Sequence, residues 1–164
     1  PAADMYGCTG NASAIQSNRL SFNLGLMGPS ITLTCEGVAS ILAVERGYCS
    51  FDREKVANVR CCSVGLYAIM SPLTWVTMSH KGIMWNGSYH GRCKSFDDMA
   101  SGYIRGDCVG TIIMNRLTER VDNAFVRDEG MDEIGIVSGA HMVYHGQGAG
   151  FAAPSGAAEQ ALLA

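Results

Sequence analysis

The hydrophobic and polar positions of the first third of the chain follow helical and strand periods in turn. Residues 12–26 carry apolar side chains at helical spacing and end in glycines and a proline, which predicts a helix running into a loop. Residues 30–35 alternate between polar and apolar, which predicts a short strand. The aliphatic run 36–47 predicts a buried helix that ends at its last glycine. The order is therefore strand, sharp turn near Gly37, and helix.

The rest of the chain predicts a sheet with several buried strands and two more helices. Runs of β-branched and aliphatic residues predict strands at residues 56–62, 109–114 and 134–140. Residues 68–84, with Pro72 and Trp75, predict a turn followed by a helix. Residues 156–164 have helix-forming composition, and Ser155 is a suitable N-cap. An α/β class follows.

Composition narrows the function classes. The 164 residues are 48% hydrophobic and 16% charged, which fits one compact domain or part of a larger one. The net charge is −3 and the 12 Lys and Arg residues are scattered, so the sequence does not predict the basic surface that binds nucleic acid. Its longest uncharged stretches contain Asn, Gly and Pro and fall short of the roughly 20 apolar residues of a membrane span. We expect a soluble protein.

Cysteine and histidine usage predicts neither a disulfide framework nor a metal site. The seven cysteines are odd in number and irregularly spaced, so free, buried thiols in a reducing cytosol or plastid are expected. No CxxC occurs, and His141 and His145 have no carboxylate between them. The glycine-rich residues 145–150 lack the spacing of a dinucleotide or phosphate loop. The sequence begins at Pro1 and shows no signal peptide, so we expect it to be part of a longer polypeptide.

Five short motifs follow one another in order along nearly the whole chain. They are TGN (9–11), NRLSFNLGLMGPS (18–30), GRCKSFD (91–97), GYIRGD (102–107) and APSG (153–156). Together they resemble the TGN, NRLSY.LGL.GPS, DGRCKTFD, GYxRGEG and TAPNG segments of the β-ketoacyl synthase (ketosynthase) domain of polyketide and fatty-acid synthases. The resemblance identifies the chain as a member of this family.

The resemblance implies a thiolase-like layered α/β fold, in which helices sandwich a mixed sheet. Residues 1–164 are then the middle portion of one ketosynthase domain, incomplete and without a second domain. Family members load an acyl chain onto a cysteine and join it to a decarboxylated malonyl unit by Claisen condensation. The implied partners are an acyl carrier protein, whose phosphopantetheine is the substrate arm, the remainder of a larger synthase, and a second ketosynthase in a homodimer or pseudo-dimer. No bound cofactor is implied.

The chain departs from the family pattern at the nucleophile. The family's GPSxTVDTACSSSLVAL aligns without a gap to residues 28–44, and Gly37 then falls on the family nucleophile. Glycine has no side chain to carry an acyl group. Cys35 stands two positions earlier and is the displaced candidate. We expect residues 1–164 alone to be inactive in condensation.

The family's two assisting histidines are also missing. Their motifs, HGTGT and NxGHxE, follow the TAPNG segment and would fall beyond Ala164. The four histidines present match neither motif: His80, His90, His141 and His145.

Three functions stay open. In the first, Cys35 is acylated within a complete condensing enzyme. In the second, a non-catalytic pseudo-ketosynthase provides a scaffold or dimer surface and docks carrier protein, and the lost thiol favours this alternative. The third is a thiolase-fold enzyme that acts on coenzyme A thioesters. The motifs GRCKSFD and GYIRGD disfavour this third function. A middle portion of a larger domain is also expected to expose apolar surface unless another segment or subunit covers it.

Overall fold

The computed structural model describes residues 6–51, 60–80, 84, 92–127, 132–146, 148–150, 153 and 155–163. The helices are α1 (Gly7–Asn11), α2 (Gln16–Leu24), α3 (Ala39–Phe51), α4 (Pro72–His80) and α5 (Gly156–Leu163), with 3₁₀ turns at Ser13–Ile15 and Glu36–Val38. The strands are β1 (Arg60–Tyr67), β2 (Cys108–Asn115), β3 (Thr118–Val121) and β4 (Ala124–Arg127). Strand β1 pairs with β2, and β3 pairs with β4. In this described part, no helix combines the length and hydropathy that a bilayer crossing requires.

The chain divides into two compact units. The first unit consists of Pro1–Ser63 together with Ile112–Ala164, and the second is Val64–Thr111. The segments that carry the Cys35–Gly37 turn, α2 and α3 all belong to the first unit.

The predicted helix over residues 12–26 is confirmed, with a 3₁₀ turn before α2. Helix α2 ends because Gly25 adopts a left-handed conformation, φ 64°. The amide of Leu26 then donates to the Ser21 carbonyl at 2.8 Å, and the amide of Gly25 donates to the Phe22 carbonyl at 3.4 Å. These two bonds form a Schellman cap, which satisfies carbonyls that the helix end would otherwise leave bare.

The second predicted helix is also present, but its predicted end at Gly47 and its predicted burial are wrong. Leu42 and Gly47 are buried, whereas Ile41 is 72% exposed. Helix α3 continues to Phe51. Gly47 is buried inside the helix, because its bare backbone lies against the side chains of Cys61, Ser63 and Met114. The guanidinium of Arg116 donates to the Phe51 carbonyl at 2.5 Å and thereby caps the C-terminal end of α3.

The small core of the first unit lies where α3 meets β1 and β2. Leu42 and Met114 are each 8% exposed, and Ser63 is 6% exposed. The buried Ser63 hydroxyl donates to the Ala43 carbonyl of α3 at 2.9 Å, so its polar group is satisfied. In the second unit Met84 is buried and forms an isolated bridge to Tyr103.

Two predicted strands are wrong. Residues 30–35 and 134–140 have no strand pairing. An alternating pattern becomes a strand only when a neighbour supplies backbone hydrogen bonds. Ser30 bonds instead to the α2 side chain of Ser21, and Ile134 and Ile136 are exposed. The expected sheet of several buried strands is replaced, among the described residues, by two separate pairs of strands.

The remaining elements follow the sequence more closely. The strand predicted at 56–62 has its first residues outside the described part, and β1 continues beyond it to Tyr67. The predictions of β2, α4 and α5 are confirmed. At α5, the amide of Ala158 donates to the Ser155 hydroxyl at 3.4 Å, which confirms Ser155 as the cap.

One hairpin was not predicted. Strands β3 and β4 pair antiparallel, with Val121 opposite Ala124. The two turn residues Asp122 and Asn123 both have positive φ, 49° and 65°. Two-residue hairpin turns of this kind favour Asp and Asn, so the Asp-Asn pair was the available signal.

Many large apolar side chains are exposed, as the sequence predicted for part of a larger domain. In the first unit Phe22 is 87% exposed, Met27 99% and Leu163 87%. Such side chains are normally buried. So many exposed ones are rare in an isolated globular domain.

Candidate functional site

The turn at residues 35–37 lies at the N-terminal end of α3, where sequence analysis placed the candidate nucleophile. The 3₁₀ turn Glu36–Val38 leads directly into α3. It starts with the amide of Val38 donating to the Cys35 carbonyl at 3.2 Å. The first amides of a helix have no intrahelical acceptor and carry partial positive charge, so the turn is suited to a carbonyl oxygen or an anion.

Gly37 is not needed as glycine by the fold. Its φ lies outside the left-handed region, where glycine is favoured. A Cβ built at this position meets no heavy atom within 4 Å. A side chain therefore fits at residue 37.

Cys35 lies in the same turn, before the 3₁₀ helix begins. Its thiol is free and half-buried. Its φ is −135° and its ψ is 43°, and its backbone carbonyl closes the turn. The structure thus brings Cys35 and Gly37 together, but it places the thiol on the approach to the helix and not on residue 37, which sequence analysis aligned with the family nucleophile.

Glu36 separates these two residues and brings a carboxylate to the turn. It is exposed and adopts a φ of 48°, a left-handed conformation uncommon for residues other than glycine, asparagine and aspartate. A carboxylate in the first turn interacts favourably with the positive end of the helix. It also repels a second negative charge at the same place.

Hydroxyl groups attach the segment before the turn to α2. Ser30 accepts from the Ser21 hydroxyl at 3.1 Å, and Thr32 contacts Ser17 and the Ala14 carbonyl. Sequence reasoning missed these residues because it assigned the segment to a strand. The partners of these two side chains lie 9 to 18 residues earlier in the chain, so the local sequence carried no signal for them.

Among the described residues of the first unit, neither His141 nor His145 is hydrogen-bonded to this turn. His80 is the last residue of α4, in the second unit, and His90 lies outside the described residues. His141 and His145 belong to a segment without regular structure, and the Nδ1 atom of His145 accepts the Ser155 amide at 3.1 Å. Within the described ranges no three His, Cys, Asp or Glu side chains form a group suited to a metal ion.

Two of the family-like motifs meet in the second unit. The Cys93 sulfur of GRCKSFD accepts the amide of Ile104 at 3.2 Å, and Ile104 belongs to GYIRGD. The next residue, Arg105, stacks its guanidinium on the Tyr67 ring at 4.6 Å. Asp107 accepts the amide of Ile69 at 2.6 Å. These contacts join the two motifs to the end of β1.

Asp97 of the GRCKSFD motif provides a test of the local contacts of this segment. Its carboxylate accepts the amide of Met99 at 2.8 Å. This bond, followed by a side-chain hydrogen bond shared with Asp98 and the charge of Lys94, lowers the pKa of Asp97 from its ordinary value. We expect NMR titration of the folded chain to give a lower pKa for Asp97 than titration of the chain unfolded in urea.

The lowered pKa makes the stability of the folded chain depend on pH. The unfolded chain binds the Asp97 proton more tightly than the folded chain does. Ionised Asp97 therefore stabilises the folded chain above about pH 4, and this stabilisation is lost as the pH falls through the folded pKa. A folded-state pKa at or above the value measured in urea would contradict the Met99 contact.

Comparison with known proteins agrees with the motifs. The sequence profile described as "Beta-ketoacyl synthase, N-terminal domain" matches residues 2–120. A component of the phenolphthiocerol/phthiocerol polyketide synthase of Mycobacterium tuberculosis is 32% identical over 98% of this chain, which spans 10% of that protein. A highly reducing polyketide synthase of Talaromyces stipitatus, tstA, is 36% identical over 97% of this chain, which spans 6% of that protein.

A solved structure supports the fold. The ketosynthase from module 6 of the bacillaene synthase of Bacillus subtilis 168 superimposes with a TM-score of 0.60 and 24% sequence identity. The match covers 71% of this chain and 20% of the bacillaene chain. The described helices and strands are therefore an incomplete α/β domain of the thiolase-like type, and the chain belongs to the β-ketoacyl synthase family of polyketide synthases.

Proposed function

We propose that this chain is part of a polyketide-synthase ketosynthase in which the covalent loading step has been lost at residue 37. The single observation that carries the proposal is Gly37. A glycine stands at the family's nucleophile position, although neither φ nor crowding requires one there. The turn and the helix N-terminus are retained, so the site keeps the means to bind a thioester carbonyl without forming a bond to it.

The proposal includes the partners expected of such a protein. The ligand is an acyl chain on the phosphopantetheine arm of an acyl carrier protein, and no cofactor is bound. The remainder of a larger synthase, in the cytoplasm or a plastid, covers exposed apolar residues such as Phe22 and Met27. The protein pairs with a second ketosynthase as a non-catalytic scaffold. Fatty-acid synthesis is the alternative pathway.

A second candidate is condensation through Cys35, favoured by its free thiol in the same turn. In the loading step that precedes condensation, the Cys35 thiolate attacks the carbonyl carbon of the acyl thioester. A new thioester bond forms at Cys35 as the carbon–sulfur bond to the carrier breaks, and the carrier leaves as its thiolate. The two candidates differ in one observable, the presence of an acyl group on Cys35.

Intact-protein mass spectrometry separates them. The chain is incubated with a hexanoyl thioester of acyl carrier protein, alongside Cys35→Ala and the matched control Cys62→Ala, which removes an exposed thiol on β1. The proposal predicts carrier binding without an adduct in all three chains. An adduct on the native chain that is absent from Cys35→Ala and present on Cys62→Ala would establish Cys35 as the nucleophile.

A further inference from the structure

The hydroxyl of Thr32 has all of its hydrogen-bonding capacity in use. Its Oγ1 atom donates to the Ala14 carbonyl at 3.3 Å and accepts the Ser17 amide at 3.2 Å. The Ser17 hydroxyl lies 2.9 Å away. A hydroxyl has one proton and two lone pairs. Since the proton of Thr32 goes to Ala14, the Ser17 hydroxyl is the donor of the third bond.

This contact also caps a helix from a distant part of the chain. Ser17 is the second residue of α2, and its amide has no acceptor within the helix. The residue at the N-cap position is Ile15, whose side chain makes no capping bond. Thr32, 15 residues later, supplies the oxygen that a local Ser, Thr or Asp usually provides.

The same contact fixes the approach to the turn. Residues 30–35 have no strand partner, so side-chain bonds hold them. Ser30 and Thr32 both bond to α2 or to the residues just before it, and Thr32 is the nearer of the two to the Cys35–Gly37 turn. Only residues 33 and 34 separate Thr32 from Cys35, whose carbonyl begins the 3₁₀ turn.

We infer that Thr32 is the positioning residue of the Cys35–Gly37 turn, holding it in register with α2 through the Ser17 and Ala14 bonds. The inference deepens the proposed function and rests on it for its biological meaning. It assigns the placement of the turn to one side chain and leaves the Ser21–Ser30 bond as a separate attachment that does not set it.

The test uses the full chain carrying Gly37→Cys, since a thiol at residue 37 reports directly on the turn. In this background Thr32→Val removes the hydroxyl at similar volume, and Thr32→Ser retains it. Ser21→Ala is the matched control, because it breaks the neighbouring hydroxyl bond of the same segment. Each chain is alkylated with iodoacetamide at one neutral pH. Peptide mass spectrometry measures the rate at residue 37, and urea unfolding measures stability.

We expect Thr32→Val to slow alkylation of residue 37 by about fivefold, the effect of one lost hydrogen bond on the placement of the thiol. Thr32→Ser is expected to restore the rate, and Ser21→Ala to leave it unchanged. The inference fails if Thr32→Val lowers stability but leaves the alkylation rate unchanged, or if Ser21→Ala slows alkylation equally.

The outcome is independent of acyl transfer, because iodoacetamide reacts with any accessible thiol. If Gly37→Cys is not acylated in any background while its alkylation still depends on Thr32, then the proposed function fails and the positioning role stands. If acylation succeeds and alkylation is insensitive to Thr32→Val, then the reverse holds.

Discussion

Gly37→Cys is expected to take up one acyl group at residue 37 from an acyl thioester, where the native chain takes up none. The new side chain fits, because a Cβ at this position meets no atom within 4 Å. The thiol stands at the N-terminus of α3, where the helix stabilises a thiolate. We expect acylation at residue 37 and none at Cys62, an exposed strand thiol of the same chain, even with the Glu36 carboxylate adjacent.

Peptide mapping after incubation with hexanoyl-N-acetylcysteamine provides the measurement, and Gly37→Ser provides the control, since its hydroxyl is far less nucleophilic without a general base. Equal acylation of residue 37 and Cys62 would show that the turn contributes nothing to the reactivity of the thiol. Decarboxylation of malonyl groups is not expected from this variant, because its four histidines match neither of the family's two histidine motifs.

Gly47→Ala is expected to destabilise the chain by about 1–3 kcal/mol, although alanine is normally the better helix former by about 1 kcal/mol. A Cβ at Gly47 would stand 2.9 Å from the Cys61 sulfur and 3.0 Å from the Ser63 hydroxyl, and closer still to the Met114 methyl group. Met114 is flexible at its end, but Cys61 and Ser63 are short side chains on β1. Accommodating the methyl group therefore requires α3 to move from β1.

Urea unfolding monitored by circular dichroism measures this effect. The matched control is Gly37→Ala, a glycine with open space, for which we expect a change within about 0.5 kcal/mol. In the double variant Gly47→Ala with Met114→Ala, the loss is expected to be smaller than the sum of the single losses, because the second change removes one of the clashing groups. A stabilising Gly47→Ala would contradict the close packing of α3 on β1.

Local sequence signals predicted two helix ends well, because the caps of these ends lie in neighbouring residues. Gly25 ends α2 and Ser155 begins α5, as their residue types require. The end of α3 was not predictable in this way. Gly47 resembles a terminating glycine in sequence, and only the close approach of β1 shows that it permits packing inside a longer helix.

The strands depended on partners that local sequence does not reveal. Residues 109–114 and 134–140 have similar aliphatic patterns, yet only the first pairs with a neighbour. At the candidate site, the motifs predicted a turn near Gly37, which is present, and the loss of the nucleophile there stays a prediction. The contacts of Thr32 with Ser17 and Ala14 bridge 15 and 18 residues, so no local pattern predicted them.

The most direct test of the central claim is site-resolved mass spectrometry of the native chain and Gly37→Cys, incubated side by side with the same hexanoyl thioester of acyl carrier protein. A turn that is intact but has lost its nucleophile predicts no acyl group on any residue of the native chain and one on residue 37 of the variant. An acyl group on native Cys35 would contradict the claim, as would a variant whose thiol at residue 37 is alkylated readily but never acylated.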